Sequence, residues 1–432
     1  MAGRVGYVQA IRTFSRNARL YLAYSTLSGI NNAIFTVAFV FYLEEVFRSQ
    51  GSVPVLGAAL AIPVYIGAVL GVQALAHGGN ALPAGFLGDK FGRKRSFLAA
   101  SLCAILAYTL VLLTTNPIAL LLLAALVGIG ESFHGVVGGP FLMENSEPRE
   151  RTHLFSLSGS LEMVSSIVGA ILGGVLPGVF LAAGMARVDA LRAALFVSLP
   201  FAIAELAPLA LMREAKAPAP LPFRSILLLR HVAHKGTVAR LSSLSLLLAF
   251  GIGLYFPLLN LHFEDAFHIH EAEFGPVVAL NALGIAAAML AVPLVVRRVG
   301  KLSTITYTRL IAVPFLVGLA FVTAEDLLWL ATLLFVTRGA FATMASPVTG
   351  QLSMELVDAP ERATTAGFSH AAFDLFYAGG IFLGGTLLAA GGFWLGFVLA
   401  GVLYVAHAVL WTAWFRGHPA ALARAGAPAA GT

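Results

Sequence analysis

Twelve stretches of this chain are nearly free of charge and long enough to cross a bilayer: roughly 19–44, 55–87, 96–115, 117–142, 153–181, 189–212, 238–263, 274–296, 303–322, 327–352, 364–390 and 393–415. About 20 apolar residues in a helix span the hydrocarbon, where every backbone N–H and C=O must find its partner inside the segment. Repeated runs of this length therefore point to an all-α membrane protein. Composition agrees, with 59% of the 432 residues hydrophobic and 11% charged, against about 25% charged in a soluble domain. The first run follows Arg4, Arg12, Arg16 and Arg19 and is not closed by a small-residue cleavage site, so it reads as a retained helix. Cys103 is the only cysteine and lies in an apolar run, which excludes disulfides within the chain and argues against a cysteine metal site.

Charge sets the expected topology. With the amino terminus inside, 22 of the 27 lysines and arginines fall in inner segments, and outer loops hold only Arg48, Arg187 and Arg192. Both termini are thus expected on the cytoplasmic face of the plasma (inner) membrane, and the net charge of +6 needs no nucleic acid to explain it. The longest polar stretch, 213–237, carries an APAPLP run and then Arg224, Arg230, His231, His234 and Lys235. It reads as a cytoplasmic linker, partly an amphipathic surface helix, between a first six-helix bundle (1–212) and a second (238–432) that ends in a short cytoplasmic tail.

The two halves repeat. FVFYLEEVF closes the first run and LNLHFEDAF the seventh, so Glu44 and Glu45 match Glu264 and Asp265. Glu162 precedes Gly169, Gly173 and Gly174 in the fifth run as Asp374 precedes Gly380, Gly384 and Gly385 in the eleventh. Internal repeats of this kind build transporters, with a binding site near midplane where the repeats meet.

Between the second and third runs stands GFLGDKFGRKR, from Gly85 to Arg95. Gly85 permits close helix contact and Gly92 a tight turn, while Asp89 with Arg93, Lys94 and Arg95 offers ion pairs that break when two bundles rock. The segment resembles the major facilitator superfamily signature G-x-L-x-D-x-x-G-R-[KR]-[KR], in the loop where that family carries it. The resemblance implies twelve helices in two pseudo-symmetric bundles, a central cavity lined by helices 1, 4, 7 and 10, Asp89 facing the start of helix 11, and Arg93 paired with Glu144. Two departures stand out. The second run is long and interrupted by Pro63 and by Gly78, Gly79 and Asn80, so it is either kinked or preceded by an extra interfacial segment. The fifth only partly resembles the family's antiporter signature, because Gly174 stands where proline belongs.

An ionisable side chain in hydrocarbon costs at least about 2.5 kcal/mol, so each one demands a reason. Glu131 and His134 are three residues apart on one helix face. Glu131 lies nine residues before Pro140 and Arg338 nine before Pro347, which puts the two at equal depth in the repeats. The expectation is a Glu131–Arg338 pair across the cavity, for which substrate or a proton competes, with His134 tuning the acid. Glu162, Asp374 and His370 form a second tier near the interface between halves, and Asn31, Asn32, Tyr255 and Asn260 are expected as cavity polar groups. Glu205 and Arg309 fall on helices that the resemblance makes peripheral and read as packing or snorkelling residues. The loop HFEDAFHIHEAEF reads as solvated, with no metal site.

The functional expectation is a secondary active transporter working by alternating access, coupled to protons, that binds a small molecule and acts as a monomer without a cofactor. Efflux of amphiphilic compounds is slightly favoured, and uptake or uniport of a small anionic nutrient, suited to Arg338, is the alternative. No G-x4-G-K-[ST] loop is present for ATP-driven pumping. An intramembrane enzyme built on Ser160 lacks a nucleophile elbow, and a non-transporting receptor would not need buried charges at equal depth in both halves.

Overall fold

A computed structural model of the protein describes residues 14–145, 151–214, 232–358 and 361–422. Twelve helical spans in it are long and apolar enough to cross a membrane. They are α1 (Arg16–Arg48), α2 (Ile62–Phe91), α3 (Arg93–Leu113), α4 (Pro117–Glu144), α5 (Arg151–Ala182), α6 (Arg187–Leu211), α7 (Lys235–Phe267), α8 (Glu271–Val299), α9 (Lys301–Leu319), α10 (Glu325–Glu355), α11 (Arg362–Ala389) and α12 (Phe393–Phe415). Their outer faces carry exposed leucines such as Leu106, Leu122 and Leu290, the reverse of a soluble protein and the expected finish for a surface solvated by lipid. Most of the linker expected at 213–237, including Arg224, Arg230 and His231, lies outside the described residues.

Proline explains three breaks in two of the spans. A proline has no N–H to return to the carbonyl four residues earlier. Pro200 and Pro208 deprive Phe196 and Ala204, where the first two pieces of α6 end. Pro257 does the same to Gly253, where the first piece of α7 ends before a short 3-10 turn at Phe256–Leu258. The breaks matter because they re-aim Glu205 and Tyr255, which stand at them.

The long second run resolves into two elements. Residues Ser52–Val55 (β1) pair antiparallel with Ala58–Ala61 (β2), and the helix begins only at Ile62. Leu56 and Gly57 turn the hairpin with φ of 49° and 86°, the left-handed pair that a two-residue hairpin turn requires. The extra segment is therefore a β-hairpin. Pro63 starts the helix instead of kinking it, since a proline costs nothing in the first turn. Gly78, Gly79 and Asn80 stay helical: Gly78 faces the Asp374 side chain, and Asn80 donates to Ser132 Oγ at 2.7 Å on α4.

The halves meet along α2 against α11 and α5 against α8. Both seams close on facing glycines, Gly67 against Gly385 and Gly174 against Gly275. A Cβ on Gly275 would stand 2.7 Å from the Ala170 carbonyl oxygen, so backbone contact here is closer than any side chain allows. At the same end Arg48 pairs with Glu264 at 2.7 Å and Arg187 with Glu271 at 3.0 Å, tying the two halves by charge, while Arg187 also lies 3.4 Å from Glu45 of its own half. Towards the opposite end, which carries the α2–α3 loop, Glu162, Gln351 and His370 are exposed.

Candidate functional site

A cavity of about 410 Å³ lies between the halves, walled by α1, α2, α3, α4, α7, α8, α10 and α11. Most of the wall is apolar: Phe35, Phe39, Val40, Phe256, Phe274 and Phe335 among others. The polar groups are few and convergent, namely Asn32, Thr36, Gln73, His77, Tyr108, Glu131, Asn260, Asn281, Asp374 and Tyr377. An apolar chamber with a handful of placed polar groups is the form of a small-molecule site.

Glu131 is half-buried on the wall and accepts two hydrogen bonds, from the Tyr108 hydroxyl and from Gln73 Nε2 at 2.9 Å. Both donors suit an ionised carboxylate, which only accepts. His134, one turn further along α4, points away from the central cavity. Its ring nitrogens meet the Tyr24 hydroxyl and, at 3.2 Å, Ser101 Oγ. Asp374 pairs with His77 Nδ1 at 3.0 Å, joining α11 to α2 across the interface. His370 is exposed towards the end that carries the α2–α3 loop and Glu162 likewise, and neither lines the cavity.

Arg338 does not meet Glu131. It is 5% exposed, donates to the hydroxyls of Tyr255 and Tyr404 (3.1 Å for the latter), and lies 4.9 Å from the Tyr255 ring centre and 5.6 Å from that of Phe256. Tyr255 is fully buried in that cluster and is not on the cavity wall. Phe256 and Phe335, by contrast, are on the wall, so the cavity meets aromatic carbon from these spans rather than a guanidinium. Asn32 and Asn260 line the cavity, whereas Asn31 is buried in a separate chamber.

That second chamber, of about 250 Å³, lies within the first half. It shares Asn32, His77, Tyr108 and Glu131 with the central cavity and adds Ser28, Asn31, His134 and Glu205. Glu205 is thus an interior residue, 3% exposed, and not a snorkelling one. Sequence reasoning missed it, as it missed His77, Gln73 and Tyr108. For His77 a signal existed, because HGGN interrupts an apolar helix with polar groups at cavity depth.

The signature loop docks on the end of α6. Gly92 takes φ +97° between α2 and α3. Glu214 accepts the Lys94 backbone N–H at 3.1 Å, capping the first turn of α3, and Lys94 Nζ reaches the Ala210 carbonyl at 2.7 Å. A Cβ on Gly92 would stand 2.8 Å from that same carboxylate, a second reason for glycine there. Gly85 faces Val136 of α4. Arg95 is exposed and Arg93 half-buried. The side chains of Asp89 and Glu144, and with them the expected Asp89–helix 11 and Arg93–Glu144 contacts, lie outside the described residues.

Comparisons with known proteins place this architecture. A D-xylose–proton symporter superposes with a TM-score of 0.73 at 13% identity, covering 94% of this chain and 97% of its own. The nucleoside transporter NupG gives 0.69 at 13% identity, covering 92% and 100%. The human organic anion transporter MFSD10 gives 0.65 at 17% identity, covering 92% and 99%. At such identities the likeness is one of fold alone. No curated protein matches the sequence. The Major Facilitator Superfamily profile, however, matches residues 21–357 and again 241–430. With the twelve spans, the paired halves and the signature loop, that match makes the chain a member of the major facilitator superfamily, a family of small-molecule transporters.

Proposed function

We propose that this protein is a proton-coupled exporter of amphiphilic compounds with cationic character, working by alternating access. The observation that carries the reading is the charge of the central cavity. Its wall is largely aromatic and aliphatic, and its charged groups among the described residues are Glu131 and the His77–Asp374 pair. Acid is in excess and no lysine or arginine lines it, so a lipophilic cation fits better than an anion. The alternative, uptake of a small anionic nutrient, needs a cation at the wall, and Arg338 is turned into the α7–α12 tyrosines instead.

Coupling follows from the same carboxylate. A proton and a substrate cation each neutralise Glu131, so they exclude one another there, and exchange of one for the other is antiport. Neutralisation also removes the cost of enclosing a bare carboxylate while the site is occluded. The Arg48–Glu264 and Arg187–Glu271 pairs hold one end shut, and rocking of residues 1–212 against 238–432 about the linker at 213–237 exposes the site to the other. With basic residues counted as inward, the end that carries the α2–α3 loop is cytoplasmic, both termini are cytoplasmic, and the protein sits in the plasma membrane as a monomer, without cofactor or enzymatic activity.

The test is a proteoliposome assay with a fluorescent lipophilic cation and an internal pH dye. The wild type is expected to exchange cation for protons, and Glu131→Gln to lose the proton flux. Cation movement with unaltered proton flux in Glu131→Gln overturns the coupling, and transport of carboxylates but not cations overturns the substrate class.

A further inference from the structure

The side chamber in the first half is lined by two carboxylates, Glu131 and Glu205, and only the first of them also reaches the central cavity. Glu205 stands at the second break of α6, its carboxyl directed inward by that break. Ser28 lines the same space, and Glu205 Oε2 is buried with no hydrogen-bond partner. A second acceptor, Oδ1 of the 8%-exposed Asn31, is also unpartnered in the same chamber. Two buried acceptors without donors in one polar space mark a site for something that supplies hydrogen.

The groups facing Glu205 come from four neighbouring helices. From α1 come Tyr24, Ser28 and Asn31; from α2, His77; from α3, Tyr108; from α4, Glu131 and His134. None of the described lining residues is a lysine or an arginine. Both nitrogens of His134 are engaged by Tyr24 and Ser101, and His77 Nδ1 is engaged by Asp374, so neither imidazole is a dedicated counter-ion. A buried carboxylate beside a second carboxylate and without a cation is tolerated chiefly in its neutral form.

We infer that the chamber is a proton reservoir, in which the Glu205 carboxyl carries a proton out of reach of substrate and exchanges it with Glu131. The inference rests on the proton-coupled reading above for its purpose, but not for its geometry. Glu131 is the natural exchange partner because it lines both spaces, as do His77 and Tyr108. The transfer balances: Glu205 gives up its O–H proton, Glu131 takes it on a carboxylate oxygen, and the negative charge moves from Glu131 to Glu205. A cation arriving at the cavity wall then meets Glu131 in either state without having to enter the chamber.

Infrared difference spectroscopy on the full chain in lipid nanodiscs reads this directly, because a protonated carboxyl has a C=O stretch apart from amide and carboxylate bands. Across the neutral pH range the wild type is expected to show such a band. Glu205→Gln removes it, Glu205→Asp shifts it without abolishing it, and Glu131→Gln moves its titration to lower pH by removing the neighbouring charge. The aspartate variant keeps a carboxyl in place and guards against loss of fold in the amide. Bands unchanged in both Glu205 variants overturn the inference, since Glu205 is then ionised. A band lost in Glu205→Gln but indifferent to Glu131→Gln overturns the exchange. Neither result touches coupling at Glu131, which stands or falls on the flux assay.

Discussion

The two halves share a fold but hold opposite charges deep within their own bundles, the buried acids of the second half, Glu264, Glu271 and Glu361, standing at the ends of its helices. Within the first half lie two carboxylates, Glu131 on α4 and Glu205 on α6, both reaching enclosed polar space. Within the second lie two guanidiniums, Arg338 on α10 and Arg309 on α9, each buried and each set against Tyr404. Tyrosine hydroxyls hold one charge in each half, Tyr108 donating to Glu131, and Tyr255 and Tyr404 accepting from Arg338. The difference lies in what the charges can do. A carboxyl changes its charge near physiological pH when its surroundings are altered, whereas a guanidinium stays charged under all such conditions. Glu131 and Glu205 are thus switchable and Arg338 and Arg309 fixed, and of these four only Glu131 opens on the substrate cavity, where Asp374 of the second half joins it on the wall.

The largest effect expected from this contrast is on stability. Arg338→Gln removes charge-assisted bonds to two buried tyrosine hydroxyls and is expected to cost about 3 kcal/mol, at roughly 1.5 kcal/mol or more for each bond to a charged group. Glu131→Gln leaves an acceptor for Tyr108 and Gln73 and is expected to stay within about 1 kcal/mol of wild type. Thermal unfolding in one detergent compares the two. A reversed order would make Glu131 the structural charge and dissolve the distinction.

The contrast was only half visible in the sequence. Hydropathy gave up the spans because roughly 20 apolar residues have one physical use. The repeat placed Glu131 and Arg338 at equal depth, and depth depends only on rise along the helix. Which way a side chain faces depends on how the helix is rotated against its neighbours, and equal depth is silent on that. Here α10 turns Arg338 towards α7 and α12, while α4 turns Glu131 to the cavity. Glu205 reads as peripheral because the family resemblance makes helix 6 peripheral. The two prolines that break it were in plain view, but a break signals a change of direction without saying which. The hairpin at 52–61 escaped because its turn is Leu56–Gly57 and not the Asn-Gly that announces such turns.

A smaller effect sharpens the comparison from the other side. Arg309 is 3% exposed, lies 5.6 Å from the Tyr404 ring centre, and leaves its Nε without a partner. A buried charge in that condition contributes little, because its desolvation offsets its contacts, and an apolar residue of similar shape often serves as well. Arg309→Met is expected to change stability by no more than about 1 kcal/mol and to leave the pH profile of transport where it was. A shifted profile would mean that the fixed charges of the second half set the proton affinity of the first, so that the halves could not be treated separately.

The smallest effect concerns the one titratable acid of the second half whose ionised form is plainly favoured, and it lies outside the spans' hydrocarbon reach. Glu361 stands just before α11 and ties its start to the residues that lead into α7. Burial opposes its ionisation, but hydrogen bonds from the Ala233 and His234 backbone amides and from the His234 ring outweigh that and hold the carboxyl below its usual range. A carboxyl ionised more readily in the folded state stabilises the fold above its unfolded value, about pH 4.3, and loses that contribution as pH falls further through the folded value. The unfolding temperature is therefore expected to hold level from neutral pH down to about 4.3 and then to fall, with Glu361→Gln flattening part of that fall. Transport should keep its own pH dependence in that variant, since Glu361 touches neither chamber. Should Glu361→Gln instead move the transport profile at neutral pH, the second half would contain a switch of its own at the mouth of α11, and the division between switchable and fixed charges would have to be redrawn around that hinge.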